Sequence, residues 1–431
     1  MAWVNIIPLI LMVVGLLAGM PIAFTLGGAG IVGIWMVTGS WSAVMGIVGT
    51  CVYRSGADYV LTTVPMFILL AYITSGSGMA RNLYRAAASW VSNIPGGLAI
   101  GTIFAGAVFG ALSGASTAAA SVLSEVALPN MREQKYSDVL STGAICLGAT
   151  LDLLIPPSVM MVVYGIMTET SINKLLIAGT VPGIILAVIT VGVILVWVWI
   201  NPSIAPGRYR SSWADRRGSL ADCWPSVILI VLMLGMLYSG VVTATEVAAI
   251  GSFSAVVISL ALRKLTWNIF INAMRSTIRT TAMIFAILMG ATIFGYYITL
   301  TQVPQVLTEY VISLNLDRYM VIIVIVVGYF LMSMFMDELP LVIITLPFTF
   351  PMITSLGFDP IWFGVMTIMM VIMGLIFPPV GMVAFVVSAM TKVKLEIVFK
   401  GCFVMIIGVF IVTALVMIFP GLALWLPSHI G

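Results

Sequence analysis

Two Pro-Pro pairs, Pro156-Pro157 and Pro378-Pro379, each interrupt a long apolar stretch, and they stand 222 residues apart. Proline has no N–H and blocks the turn before it, so a helix carried through either pair must break. The surrounding chain leaves little except helix. Apolar residues make up 61% of the 431 and charged ones 8%, and mean hydropathy is +1.20. Eighteen Lys and Arg with 15 Asp and Glu cannot cover a soluble globule of 46.1 kDa. Such a chain lies in a bilayer, where every backbone N–H and C=O needs a partner from the protein itself. A helix broken there leaves carbonyls and amides unpaired in mid-membrane.

The offset of 222 recurs. Pro156–Gly179 and Pro378–Gly401 match at both prolines, at Met160/Met382 and at the closing glycine, and Pro129 falls on Pro351. Loop charge alternates with the repeat. Arg81, Arg85, Arg132 and Lys135 mark first-half loops whose second-half partners, near Val303 and Thr354, carry no Lys or Arg. After the Pro-Pro segments the sign reverses, because Lys392, Lys394 and Glu396 leave positive charge where Glu169 and Lys174 cancel. The positive-inside rule then puts 81–96, 131–137, 203–222, 263–280 and 392–400 in the cytoplasm. Corresponding loops fall on opposite faces, which is the inverted-topology repeat of many secondary transporters.

About ten crossings follow at roughly 20 residues each, over 5–20, 22–39, 61–80, 138–168, 176–200, 224–240, 243–262, 282–300, 360–391 and 399–426. The fold class is an all-α polytopic membrane protein with two re-entrant hairpins and two proline-broken helices. The hairpins are 97–130 and 319–352, with aligned tips at Ser113–Thr117 and Phe335–Pro340. Segments 43–58 and 265–281 are expected along the interface. The expected division is first-half scaffold with arm over 1–60, a first transport region over 61–202 and a cytoplasmic linker over 203–222. Second-half scaffold with arm over 223–281 and a second transport region over 282–431 complete it. Both termini are expected outside. Residues 5–19 read as a first crossing rather than an export signal, since Met1–Asn5 holds no Lys or Arg and no cleavage site follows.

Most chemistry is closed to this chain. One histidine, His429, and four scattered cysteines, Cys51, Cys146, Cys223 and Cys402, exclude zinc sites, haem ligation and histidine acid–base work. No Lys follows Gly, so no phosphate-binding loop exists. The net charge of +3 is too small and scattered for nucleic acid. What remains is the polar backbone at the breaks and tips, whose free carbonyls suit a hard cation and whose half-helix N-termini suit an anion. Asp152 is set at mid-membrane, where a carboxylate costs about 2.5–3.5 kcal/mol to insert; it can ligate an ion, titrate or cap the broken helix. Asp337 can N-cap the returning hairpin arm, with Pro340 in its first turn, and Glu246 suits a cap in the scaffold.

In order along the chain, VPMFILLAYITSGSG from Val64, PGGLA from Pro95, FGALSGAS from Phe109 and IPPSVMMVVYG from Ile155 carry a resemblance. TATEVAA from Thr243, MFMDELPLVI from Met334, FDPIWFGV from Phe358 and FPPVGMVAFVVS from Phe377 extend it over almost the whole chain. The sequence resembles the large membrane subunit of tripartite ATP-independent periplasmic (TRAP) transporters. The resemblance implies an elevator-type importer in the bacterial inner membrane, driven by Na+ and supplied by a soluble periplasmic substrate-binding protein. It also implies a small membrane subunit as a separate chain. In relatives one sodium site corresponds to Ser113, Ser116, Asp152, Ile155 and Pro157, and a second to Ser333, Asp337, Gly374, Phe377 and Val380. Asp152 and Ser333 stand where glycine is common, and Phe377 where a threonine hydroxyl is common. Organic acids are the family's usual substrates. With no Lys or Arg at mid-membrane, a carboxylate would be received at Thr117 and Leu339, beside Ala115, Pro157 and Pro379.

Three other readings compete. A stand-alone sodium/anion symporter of similar fold would show Ser-Asn-Thr at both tips, which these lack. An intramembrane aspartyl protease using Asp152 and Asp337 would need a Gly-x-Gly-Asp context, also missing. A channel would need rings of charge or a carbonyl filter motif.

Overall fold

The computed structural model describes residues 2–113, 116–206, 211–314 and 316–430, and among them it is all helical. The first half comprises α1 (Ala2–Leu17), α2 (Ile22–Thr38), α3 (Trp41–Ala57), α4 (Thr63–Gly76) and α5 (Met79–Val91). It continues with α6 (Gly97–Ser113), α7 (Ser116–Glu133), α8 (Asp138–Thr150), α9 (Val159–Thr168) and α10 (Ile172–Ile200). The second half runs α11 (Trp213–Ser239), α12 (Ala244–Ala261), α13 (Trp267–Thr301), α14 (Val303–Ser313) and α15 (Arg318–Ser333). Then follow α16 (Glu338–Ser355), α17 (Pro360–Leu375), α18 (Met382–Thr391), α19 (Leu395–Ile418) and α20 (Gly421–His429).

The repeat is visible in where helices begin. Helices α2, α7 and α8 start at residues 22, 116 and 138, and α12, α16 and α17 start at 244, 338 and 360. The packing is reciprocal: α8 lies on α19 as α17 lies on α10, α7 on α18 as α16 on α9, and α2 on α13 as α12 on α4. Exchange of this kind, each element of one half meeting its partner's partner in the other, is the signature of a two-fold relation.

Seven helical stretches are long and apolar enough to cross a membrane by length and composition. Six of them coincide with expected crossings, and the seventh, Glu338–Ser355, is the second hairpin's returning arm. The remaining four crossings of the expected ten are built from shorter pieces. Two are α1 and α2; the others are the tandems α8–α9 and α17–α18, parted at the proline pairs. Helix α8 has 13 residues and α9 has 10, so at about 1.5 Å per residue neither alone spans a core of about 30 Å.

Several expected boundaries move. The interfacial segment at 265–281 and the crossing at 282–300 are one continuous helix, α13, of 35 residues. In the first half the equivalent stretch does break, because Asp58 accepts a hydrogen bond from the Val60 N–H (2.8 Å) and opens a short 3-10 turn. Thr280 stands at the matching place and offers no such cap. Residues 81–96, expected as loop, are largely α5, whose Leu83 and Tyr84 are buried while Arg81 and Arg85 are exposed. Helix α11 starts at Trp213, inside the expected linker, on a capping box between Ser212 and Asp215. The expected helix at 399–426 ends at Ile418, and α20 resumes beyond Pro420.

The helices fall into two packed groups. One comprises α1–α4 with α11–α13, the other α6–α10 with α15–α20, and α5 and α14 lead from one to the other. Helix α4 packs mainly on α12 and α13, and α13 mainly on α2, α3 and α4, while α4 also touches α6 and α9 and α13 also touches α16. Small residues allow the contact of α2 with α13. A Cβ at Gly30 of α2 would lie 2.8 Å from the backbone nitrogen of Phe294 on α13, so the two backbones nearly touch, as small-residue helix faces allow.

Candidate ion and substrate site at the two helix breaks

At the first break α8 ends at Thr150 and Leu151–Leu153 tighten into a 3-10 turn. Pro156 and Pro157 forbid continuation, and α9 restarts under a Ser158 cap, whose Oγ accepts from the Met161 N–H at 3.4 Å. No donor among the described residues reaches the carbonyl oxygens of Ile155 or Pro157. Asp152, in the 3-10 turn, is fully buried. Its Oδ1 accepts from Ser116 Oγ at 2.8 Å, while its Oδ2 has no partner. The first hairpin presses close here: a Cβ at Gly110 would lie 2.6 Å from the Asp152 Cα.

The second break has the same backbone plan and a different filling. Helix α17 ends at Leu375, and the carbonyls of Phe377 and Val380 meet no donor among the described residues. The carbonyl of Gly374 accepts from the Phe377 N–H at 3.2 Å. Gly374 leaves room for the second hairpin, since a Cβ there would collide with Ser333. Ser333 Oγ lies within donating distance of the carbonyls of Phe330 (2.8 Å) and Met370 (3.1 Å), so its one hydroxyl hydrogen is spent on one or the other in packing the arm. Phe377 stacks edge-on against Phe330 and Phe403, each with ring centroids 5.2 Å away. Gly381 bridges to the tip, its N–H donating to the Met334 carbonyl at 3.3 Å.

The tips meet across the two-fold relation. Ser116 Oγ also lies 3.1 Å from Glu338 Oε2, and these two residues are themselves 222 apart. Asp337 caps α16 through the Glu338 N–H at 3.0 Å, as its sequence position suggested. Thr117 is half-buried at the start of α7, Leu339 is buried in the first turn of α16, Pro157 is buried and Pro379 exposed. The Ser113 side chain and Ala115 lie outside the described residues.

The structure thus joins Ser116 and Asp152 directly, with the Ile155 and Pro157 carbonyls on the same break, and packs Ser333 on Gly374 with Phe377 and Val380 just beyond. Glu338, Gly110 and Gly381 were not among the expected site residues. The alignment of Glu338 with Ser116 is the one sequence signal that pointed to it.

Beside each hairpin runs a cleft. One, of about 750 Å³, includes Arg81, Arg85, Glu125, Asn130 and Asp222. The other, of about 600 Å³, includes Arg54, Asp58, Glu169, Pro347 and Pro351. They flank matching ends of α7 and α16.

Comparison with known proteins gives the family and the fold. The family model described as "Tripartite ATP-independent periplasmic transporter, DctM component" matches residues 9–422. The sialic acid TRAP transporter large permease protein SiaM of Vibrio cholerae is 30% identical over 417 residues, covering 96% of both chains. The C4-dicarboxylate TRAP transporter large permease protein DctM of Pseudomonas aeruginosa is 33% identical over 383 residues, 88% of both. The crystal structure of the Alcanivorax borkumensis YdaH transporter shares the fold with a TM-score of 0.61 at 13% identity, covering 90% of both chains.

Proposed function

The chain belongs to the DctM-component family of tripartite ATP-independent periplasmic transporters, and from that premise we propose that it imports a small organic acid coupled to Na+. Its relatives are transporter permeases, not enzymes, which retires the protease reading. Asp337 points the same way, since one of its carboxylate oxygens is taken by capping α16.

The observation that carries sodium coupling is the fully buried Asp152 carboxylate with one oxygen unpartnered, beside the open carbonyls of Ile155 and Pro157. Oxygen ligands without sulfur or imidazole suit a hard cation. In this reading Ser116, Asp152, Ile155 and Pro157 hold one ion, with Ser113 contributing from the tip. Ser333, Asp337, Gly374, Phe377 and Val380 hold a second, through backbone oxygens more than side chains. The substrate carboxylate would be received at the N-termini of α7 and α16, around Thr117 and Leu339, with Ala115, Pro157 and Pro379 nearby. Each ion moving inward gains about 2.3 kcal/mol per 100 mV, so two would supply about 4.6 kcal/mol, less about 2.3 kcal/mol for each negative charge that the substrate carries in with them.

The group α6–α10 with α15–α20 would move as the elevator against α1–α4 with α11–α13, in the bacterial inner membrane with both termini periplasmic. A periplasmic binding protein would deliver the substrate, and a small membrane subunit would flank the scaffold. Uptake into proteoliposomes tests the whole reading. It should require external sodium, an inside-negative potential and the cognate binding protein. Robust uptake of free substrate without the binding protein would defeat it. Cysteine labelling tests the inverted topology: position 134 should be reached from the cytoplasm and position 356 from the other side.

A further inference from the structure

We propose that Glu338 completes a cation site with Ser116 and Asp152 at the junction of the two hairpin tips, so that one hard cation ties the halves of the chain together. The proposal rests on the sodium-coupled reading only for the identity of the ion.

Three observations converge. First, the cluster crosses the two-fold relation: Ser116 opens α7, Glu338 opens α16 at the equivalent position, and their side chains lie 3.1 Å apart. Asp152 adds the first break to the same point, 2.8 Å from the Ser116 hydroxyl. Second, the hydrogen bonds cannot all be made at once. A serine hydroxyl has one hydrogen, so it serves Asp152 or Glu338 and leaves the other carboxylate facing its lone pairs. Asp152 Oδ2 is buried without a partner in hydrogen-bonding geometry.

Third, among the described residues no Lys or Arg forms an ion pair with either carboxylate. The ion pair found among the described residues, Arg132 with Asp138, lies on other elements. Asp152 is fully buried and Glu338 half-buried, and holding two carboxylates together there without a cationic partner is costly; a bound cation removes that cost. Its class follows from the donors, which are all oxygen. With two carboxylates and a hydroxyl as donors, and no imidazole or thiolate among them, the cluster suits an exchangeable hard ion better than a transition metal.

Such an ion would do more than fill a hole. With it bound, Asp152 and Glu338 share one charge partner and the tips are drawn together. Without it the two carboxylates repel, and the tips are driven apart. Ion binding in one half would thus be felt by the hairpin of the other half before any substrate arrives.

The test is thermal unfolding of the purified transporter titrated with NaCl at constant ionic strength in choline chloride, with no substrate, binding protein or membrane potential. Wild type should be stabilised with a defined midpoint in Na+. Glu338→Gln and Asp152→Asn should each raise that midpoint about tenfold or more, and the double variant should be little worse than either single. In choline alone both variants should unfold at or above the wild-type temperature, since each removes an unpaired charge. A Glu338 with a merely structural role would instead lower that baseline. A wild-type Na+ midpoint in Glu338→Gln would overturn the proposal. So would equal stabilisation by choline, or saturation by Ca2+ below the sodium midpoint. Because nothing is transported, sodium-independent uptake with this titration intact would count against the transport reading and not against the site.

Discussion

At the first break the chain buries a carboxylate, Asp152, against the hydroxyl of Ser116. At the second, 222 residues on, the equivalent position is Gly374, and the neighbouring hairpin offers Ser333 with its one hydrogen already taken by the Phe330 or Met370 carbonyl. One break is filled by ionic groups, the other by the rings of Phe377, Phe330 and Phe403. Yet both hairpins press on their breaks through a glycine contact, on opposite partners: Gly110 on the hairpin in the first, Gly374 on the broken helix in the second. Backbone geometry is therefore common to the halves, and side-chain chemistry has diverged on it. The two ion sites proposed above would then differ in character, the first built on a side-chain charge and the second on peptide oxygens.

The largest effect should come from attacking what the halves share. Gly110→Val and Gly374→Val each force a branched side chain into backbone or a packed serine, where overpacking costs about 1–3 kcal/mol or more. Recovery of monodisperse protein should collapse for both. Normal recovery of either would mean that its hairpin is not seated on its break, and the common plan would fail. Next comes what they do not share. Asp152→Asn should keep its fold while sodium activation of uptake falls roughly tenfold or more, equivalent to about 1.4 kcal/mol of ion binding. Unchanged activation would return Asp152 to a structural role and erase the contrast.

Much of this centre could be read from the chain. Pro-Pro can only break a helix, Asp337 with Pro340 three residues on can hardly do other than start one, and Thr243 with Glu246 forms the capping box its spacing suggests. The long α13 could not be read this way. Arg275, Thr277, Arg279 and Thr280 look interfacial by polarity, and only the close approach of α2 near Gly30 shows that the helix continues. The role of Phe377 was likewise hidden. Its ring partners lie 47 residues before it and 26 after, and no periodicity links them. Glu338 was half visible, since the 222-residue offset pairs it with Ser116, but only the fold brings the paired positions into contact.

A smaller effect probes the second filling directly. Phe377→Thr removes a ring held by Phe330 and Phe403 and introduces the hydroxyl that the family resemblance implies at that position. Because Phe377 is only half-buried, the loss should be about 1–3 kcal/mol, less than a fully buried phenylalanine would show. The unfolding temperature should fall while the sodium requirement stays or strengthens. A weakened sodium response would mean the ring itself, and not the carbonyl beneath it, shapes the second site.

The smallest effect concerns how each chain resumes after its break. Helix α9 restarts on a side-chain cap, Ser158 to the Met161 N–H. Helix α18 restarts at Gly381, whose φ of +53° suits glycine and whose N–H is already tied to Met334 at the tip. Ser158→Ala should therefore cost about 1 kcal/mol, the usual worth of a lost N-cap, felt in α9 alone and leaving sodium activation in place. Gly381→Ala should reach further, because it strains the backbone and presses a Cβ to 2.9 Å from the Phe377 carbonyl that the second ion would use. If Ser158→Ala instead disturbed sodium activation as strongly as Gly381→Ala, the cap would be part of the ion site. The first break would then depend on its return helix as much as the second does.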